Sequence, residues 1–116
     1  VMFHHFHDEK KHSKFQGSIN EKNFLNIIKY IGRDNIIDAD IFLQKLKKNN
    51  LKKNHVCFTF DDGLRSQFDI ALPILKKYKI KAFFFIYSSI FDNEPDLLEV
   101  YRYFRTTKYI WYSRRG

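Results

Sequence analysis

Cysteine, proline, glycine and long apolar runs are all scarce in this chain of 116 residues. The single cysteine, Cys57, excludes an internal disulfide framework and a cysteine-rich zinc site. Two prolines and four glycines exclude a collagen-like segment or a flexible linker. No apolar stretch approaches the ~18 residues that a membrane-spanning helix needs, so we expect no membrane span. The first residues, 1–5, lack the charged and then apolar pattern of a secretory signal, which predicts a cytoplasmic protein.

Aromatic residues, by contrast, are abundant enough to build a packed core. They make up 18% of the chain, and 13 of them are phenylalanines. Apolar residues account for 44% and charged residues for 29%, which excludes the composition of a disordered chain. A length of 116 residues favours a single globular domain over residues 1–116.

The formal net charge is +8, from 21 basic and 13 acidic residues. A basic run can mark a nucleic-acid or anionic-membrane footprint, but it is more commonly a solvated helix face with the loop after it. No aromatic residue that could stack on bases interleaves with the lysines here, so we expect no nucleic-acid partner. The densest run comprises Lys45, Lys47, Lys48, Lys52 and Lys53.

The first half of the chain is predicted to form one strand followed by two helices. Residues 1–6 are bulky and largely apolar, which predicts a strand. Ser18 and Glu21 have the spacing of a capping box, and they precede an apolar helical face that ends at Gly32. A second helix is predicted over residues 38–48, ending at Asn49. We expect its inward side chains to be Ala39, Phe42, Leu43 and Leu46.

Two strongly apolar segments in the second half, residues 56–60 and 82–87, predict buried strands. The roughly 30 residues from the first to the second suit a strand–helix–strand crossover, so we expect the strands to be adjacent and parallel. Pro73 lies within the connecting helix, which must restart or kink there. The predicted fold class is therefore α/β. The inward stripe of the connecting helix is expected at Phe68, Ala71, Leu72, Leu75 and Tyr78, and a further helix is predicted after Asp96.

Two aspartates, Asp61 and Asp62, directly follow the first of these strands, and Gly63 allows a sharp turn after them. Reactive groups gather at the carboxyl ends of strands in parallel sheets. Two adjacent carboxylates repel each other unless a cation shares their charge. One carboxylate could bind a metal ion while the other accepts a proton from water. Alternatively, both aspartates simply cap the next helix.

The segment Thr59-Phe60-Asp61-Asp62-Gly63 resembles the first signature motif of the polysaccharide deacetylases, carbohydrate esterase family four. Residues 67–73, in the connecting helix, and residues 81–85, after it, are similar to the segments that follow this motif in the family. Residues 3–6 are similar to the family's first strand. The resemblance runs from about residue 2 to about residue 105.

This resemblance implies a distorted (β/α) barrel with parallel strands that removes N-acetyl or O-acetyl groups from a polysaccharide or a sugar precursor. It also implies a divalent metal ion, usually zinc. By position, Asp61 matches the family's catalytic base and Asp62 matches its metal-binding aspartate.

The metal-binding His-x-x-x-His pair of the family, however, is missing. No histidine follows His55, and no two earlier histidines have the required spacing. We therefore expect a domain that is incomplete at its C-terminus. If so, either Phe83–Phe85 or Phe58 and Phe60 should be unusually exposed, or the protein should aggregate or dimerise. Possible substitute ligands are His5 and His12. The alternative function is a catalytically inactive remnant that is at most a basic binding domain.

Overall fold

Three short parallel strands lie at the centre of the computed structural model, which describes residues 1–93 and Leu97. They are β1 (Met2–Phe3), β2 (Thr59–Asp61) and β3 (Phe83–Phe85), in the order β1-β2-β3. In the register, Phe3 lies opposite Phe60, and Phe60 lies opposite Phe84. The predicted α/β class and the parallel pairing of the two apolar segments are therefore confirmed. All three strands are shorter than predicted, because pairing beyond them is limited to isolated bridges.

The chain divides into two compact units, Val1–Ile86 and Tyr87–Gly116. The first unit contains the sheet and all the helices discussed below, and the described part of the second contains a 3-10 helix at Ser88–Asp92. The helix predicted after Asp96 lies outside the described residues. That residues 1–116 form one domain, incomplete at its C-terminus, stays a prediction.

The first helix, α1 (Glu21–Ile31), is capped by a different residue from the one predicted. Asn20 is the N-cap: its side chain accepts from the Asn23 N–H at 2.8 Å, and the Asn23 side chain accepts from the Asn20 N–H at 3.1 Å. Ser18 cannot serve, because the chain at Ile19 is still extended and paired with the segment after β1. The capping box is present, but it begins two residues later than Ser18. Gly32 ends the helix as predicted.

The second helix, α2 (Ala39–Lys47), buries only part of its predicted inward face. Ala39 is buried, and its N–H donates to the Lys81 carbonyl at 2.9 Å. Phe42 is half-buried, whereas Leu43 and Leu46 are 42% and 55% exposed, which corrects the predicted inward positions of these two leucines.

The connection from β2 to β3 begins with a π turn, Gln67–Ala71, and continues as α3, Leu72–Lys77. Pro73 lies in the first turn of α3, so the helix restarts there, as the sequence allows. The buried face keeps the spacing of a regular helix, at positions 67, 70, 71, 74 and 75, so Ala71 and Leu75 are buried as predicted. Ile70 and Ile74 are buried, whereas Phe68 and Tyr78 are 40% and 37% exposed, which corrects their predicted inward positions.

Phenylalanine rings from the strands and α1 form the core. The Phe3 ring centroid lies 5.1 Å from those of Phe24 and Phe58, both in edge-on geometry. Phe60 stacks on Phe84 with a centroid distance of 4.8 Å. Phe58 and Phe60 are fully buried and Phe85 is 55% exposed, so exposure occurs in the first of the two predicted segments, at its last residue. Edge-to-face and offset pairs of this kind add about 0.5–1.5 kcal/mol each beyond the burial of apolar area.

Candidate active site at the carboxyl end of the sheet

The two aspartates lie where the sequence predicts them, at the carboxyl end of the central strand. Asp61 is the last residue of β2, and Asp62 and Gly63 follow it with φ angles of 77° and 60°. A left-handed backbone is unusual for a residue other than glycine, so Asp62 is held in a strained conformation. A Cβ at position 63 would lie 3.3 Å from Ile86 side-chain atoms, and therefore only glycine is easily accommodated there.

The next polar group at this site is Gln67, which sequence analysis did not identify. Its side chain is fully buried at the start of the π turn. Its Nε2 donates to the backbone carbonyl of Asp61 at 2.6 Å and to that of His4 at 2.9 Å. One buried amide thus joins the carboxyl ends of β1 and β2.

The imidazole of His4 lies beside the first aspartate. Its Nε2 is 3.6 Å from Oδ2 of Asp61, and both side chains are partly exposed, at 35% and 26%. This separation is too long for a hydrogen bond, but it allows an ion pair when the imidazole is protonated. Residue alternation along a strand indicates that only one of His4 and His5 can face a common site, and it does not show which.

The two predicted substitute ligands, His5 and His12, each contact another side chain. The ring of His5 lies 5.5 Å from that of Phe15. The Nε2 of His12 is hydrogen-bonded to Oδ2 of Asp69 at 2.8 Å. Metal binding by either histidine stays a prediction, and the histidine that the structure places beside Asp61 is His4.

Asp69 is the centre of a separate charged cluster on the π turn. Besides His12, it contacts the Arg65 guanidinium at 3.1 Å and the Lys11 ammonium at 3.7 Å. The hydrogen bond from His12, with a smaller effect from Arg65, lowers the pKa of Asp69. Through the contacts of Asp69 with Lys11 and His12, this cluster connects the loop between β1 and α1 to the segment after β2.

A cleft of about 590 Å³ opens beside this cluster. Its walls come from the loop after β1, the first turn of α1, and α3. Its lining includes His7, Asp8, Glu21, Asp69 and Pro73, whereas Asp61 and Asp62 do not contribute to it.

A complete zinc centre needs three or four protein ligands. Among residues 1–93 and Leu97, no three histidine, cysteine, aspartate or glutamate side chains converge in a way that could hold a metal ion. The described residues therefore do not fit a complete zinc centre. Cys57 does not help, since it is buried, and burial raises the pKa of its thiol.

Helices that are long and apolar enough to cross a membrane do not occur in the described part of the chain.

Comparison with known proteins points to one family. The polysaccharide deacetylase family model matches residues 48–103, a region that contains β2, the aspartate pair, α3 and β3. The predicted resemblance to this family is thereby confirmed. No curated protein matches the sequence.

A solved structure of a de-N-acetylase from Aggregatibacter actinomycetemcomitans is similar to this chain, with a TM-score of 0.63 and 21% sequence identity. The match covers 81% of this chain and 38% of that one. At this level of identity the similarity shows a shared fold. The chain spans well under half the length of the protein that it matches.

Proposed function

From the polysaccharide deacetylase match over residues 48–103, we propose that this chain is a deacetylase-like hydrolase. Its substrate would be an N-acetyl or O-acetyl group on a polysaccharide or a sugar precursor. The observation that carries the proposal is the position of Asp61 and Asp62 within the matched region, at the carboxyl end of the central parallel strand. The three strands would be part of the distorted (β/α) barrel that the family resemblance implies.

Within this proposal the two carboxylates have different roles. Asp61 would accept the proton from the attacking water, and Asp62 would be a ligand of a divalent metal ion, zinc in the first instance. A bound zinc ion supplies a Lewis acid, and in complete sites it is held by at least three protein ligands. Asp62 alone does not make such a site, so we expect zinc binding by the chain to be weak.

The second candidate function is a catalytically inactive domain that binds an anionic or glycan partner. It is favoured by the lack of a three-ligand cluster among the described residues. It is also favoured by the exposure of the lysines around the end of α2. These exposed lysines are Lys47, Lys48, Lys52 and Lys53.

The two candidates are separated by measuring zinc binding and acetate release on the same preparations. The full chain is titrated with zinc and then incubated with an acetylated chito-oligosaccharide. We expect Asp62→Ala to abolish zinc binding and Asp61→Asn to retain it. Any turnover should fall by about 10²–10⁴-fold in Asp61→Asn, because general-base catalysis contributes an effect of this size.

The matched control is Asp34→Asn, which changes an exposed aspartate outside the site and should alter neither measurement. If zinc binding persists in Asp62→Ala, or if acetate release is equal in Asp61→Asn and the unmodified chain, the proposed roles are wrong. Absence of both zinc binding and acetate release from the unmodified chain would favour the inactive binding domain.

A further inference from the structure

Gln67 is unusual in this fold because it is a polar side chain with no exposure to solvent. Both of its Nε2 contacts are backbone carbonyls, and they belong to residues 63 and 6 positions away along the chain, His4 and Asp61. The amide thus bridges two strands rather than stabilising its own turn alone.

The position of this bridge follows from the register of the sheet. Met2 lies opposite Thr59 and Phe3 lies opposite Phe60, and the ladder between β1 and β2 then ends. The next pair in that register is His4 and Asp61, which is the pair whose carbonyls Gln67 holds. Its side chain therefore extends the connection between β1 and β2 one residue beyond the ladder.

The orientation of the amide is determined by these contacts. A carbonyl oxygen only accepts hydrogen bonds, so the nitrogen of Gln67 must face both carbonyls. The Oε1 atom is then buried without a hydrogen-bond partner among the described residues. A buried unpaired acceptor is unfavourable. Packing alone does not explain the amide, because an apolar side chain of the same length would fill the space without this cost.

The hydrogen bonds of Gln67 also hold the turn at the two aspartates, whose backbone is strained. The Asp61 carbonyl immediately precedes Asp62, whose φ of 77° is a conformation that persists only when surrounding contacts hold it. The bridge to Gln67 is such a contact. The same bridge fixes the backbone of His4, whose imidazole lies 3.6 Å from the Asp61 carboxylate.

We infer that Gln67 is the positioning residue of this site: it holds His4 and the two aspartates in a fixed arrangement without contacting substrate. A role of Gln67 in catalysis rests on the proposed function, whereas its hydrogen bonds to His4 and Asp61 can be tested separately.

The direct test is made on the unmodified chain by NMR. Scalar couplings across hydrogen bonds are measured between the Gln67 side-chain amide and the carbonyl carbons of His4 and Asp61. We expect a coupling to each carbonyl. A resolved Gln67 amide without coupling to either one would overturn the inference, and this result does not depend on any variant folding.

The second test uses Gln67→Met, which preserves the length of the side chain and removes its donor. We expect backbone amide shifts at residues 4–6 and 61–63, and a shift of the His4 ring resonances in the same direction as that caused by Asp61→Asn. The control is Gln44→Met, since Gln44 is exposed on α2, and it should leave these resonances unchanged. Unchanged His4 ring resonances in a folded Gln67→Met chain would also overturn the inference.

These outcomes are distinguishable from failure of the proposed function. If Asp61→Asn leaves acetate release unchanged while the couplings to Gln67 are present, the proposed function is wrong and the positioning role stands. If acetate release depends on Asp61 but Gln67→Met changes neither kcat nor the His4 resonances, the positioning role is wrong and the proposed function stands.

Discussion

Individual carboxylates hold the loop that leads away from the candidate site. Oδ1 of Asp8 accepts hydrogen bonds from the backbone N–H groups of Lys11 and His12 at 2.7 and 2.8 Å, and from that of Lys10 at 3.1 Å. These bonds lower the pKa of Asp8 to about 2, with those from His12 and Lys11 having the largest effects. The ionised form of Asp8 is therefore the form that the loop stabilises.

This pKa predicts how stability depends on pH. The pKa of Asp8 is lower in the folded chain than in the unfolded chain, where it is about 3.9. Its contribution is thus fully present above about pH 4 and is lost as the pH falls towards 2. We expect Asp8→Ala to reduce the free energy of unfolding at pH 7 and to weaken its decline in acid. Urea denaturation between pH 2 and 7 measures this, with Glu9→Ala, an exposed carboxylate in the same loop, as the control. Equal acid sensitivity in Asp8→Ala and the unmodified chain would contradict the prediction.

The residues of the candidate site differ in how well the sequence predicts them. Asp61 and Asp62 are predictable because they come at the end of an apolar strand and directly before a glycine. Gln67 is not predictable, because its partners are backbone carbonyls and no pattern of side chains reveals them. His5 was predicted as a ligand and His4 was not, whereas His4 is the histidine 3.6 Å from the Asp61 carboxylate. Alternation along a strand places the two histidines on opposite faces but does not show which face meets the site.

Among the helices and strands, α1 shows that pairing between distant segments can move a capping box away from the position that the local sequence predicts. Serine, aspartate and asparagine are all good N-caps, so Ser18 and Asn20 are comparable candidates in the sequence. Pairing of Ile19 with the segment after β1 decides between them, because it keeps the chain extended past Ser18.

The cap gives a prediction at this scale. Asn20→Ala should lower the free energy of unfolding by about 1 kcal/mol, the usual effect of removing an N-cap side chain. The matched control is Asn26→Ala, which makes the same change at an exposed position inside α1, where alanine is the better helix former and no loss is expected. Urea denaturation of both variants measures the difference. Equal effects at the two positions would show that the cap contributes nothing to stability.

The segment between β2 and β3 shows the limit of an apolar pattern. That pattern predicts Phe68 and Tyr78 on the inward face, whereas the buried positions are 67, 70, 71, 74 and 75, which have the spacing of a regular helical face. The first of these positions is the polar Gln67, which an apolar pattern does not assign to the core.

For the molecule as a whole, the α/β class and the parallel neighbours of β2 are predictable from the sequence, because two doubly apolar segments with a crossover between them have few alternative arrangements. The distribution of exposure was predictable only in part. Phe58 and Phe60 are covered from both sides of the central strand, whereas β3 pairs with β2 on one edge and, within the described residues, with no strand on the other.

The exposed end of β3 predicts self-association. Phe85 and Ile86 are 55% and 48% exposed and lie at and just after the end of β3, whose outer edge pairs with no strand among residues 1–93 and Leu97. Such edges favour pairing with another chain, and apolar side chains strengthen that pairing. We expect sedimentation equilibrium to detect dimers or larger species of the full chain, and Phe85→Lys to shift them towards monomer, because a charged residue at the edge opposes burial. The control is Tyr30→Lys on α1, where the replaced side chain is 93% exposed and lies away from the sheet edge, so association should be unchanged. A chain that is monomeric at high concentration, or that associates equally with lysine at position 85, would show that this edge is protected rather than available.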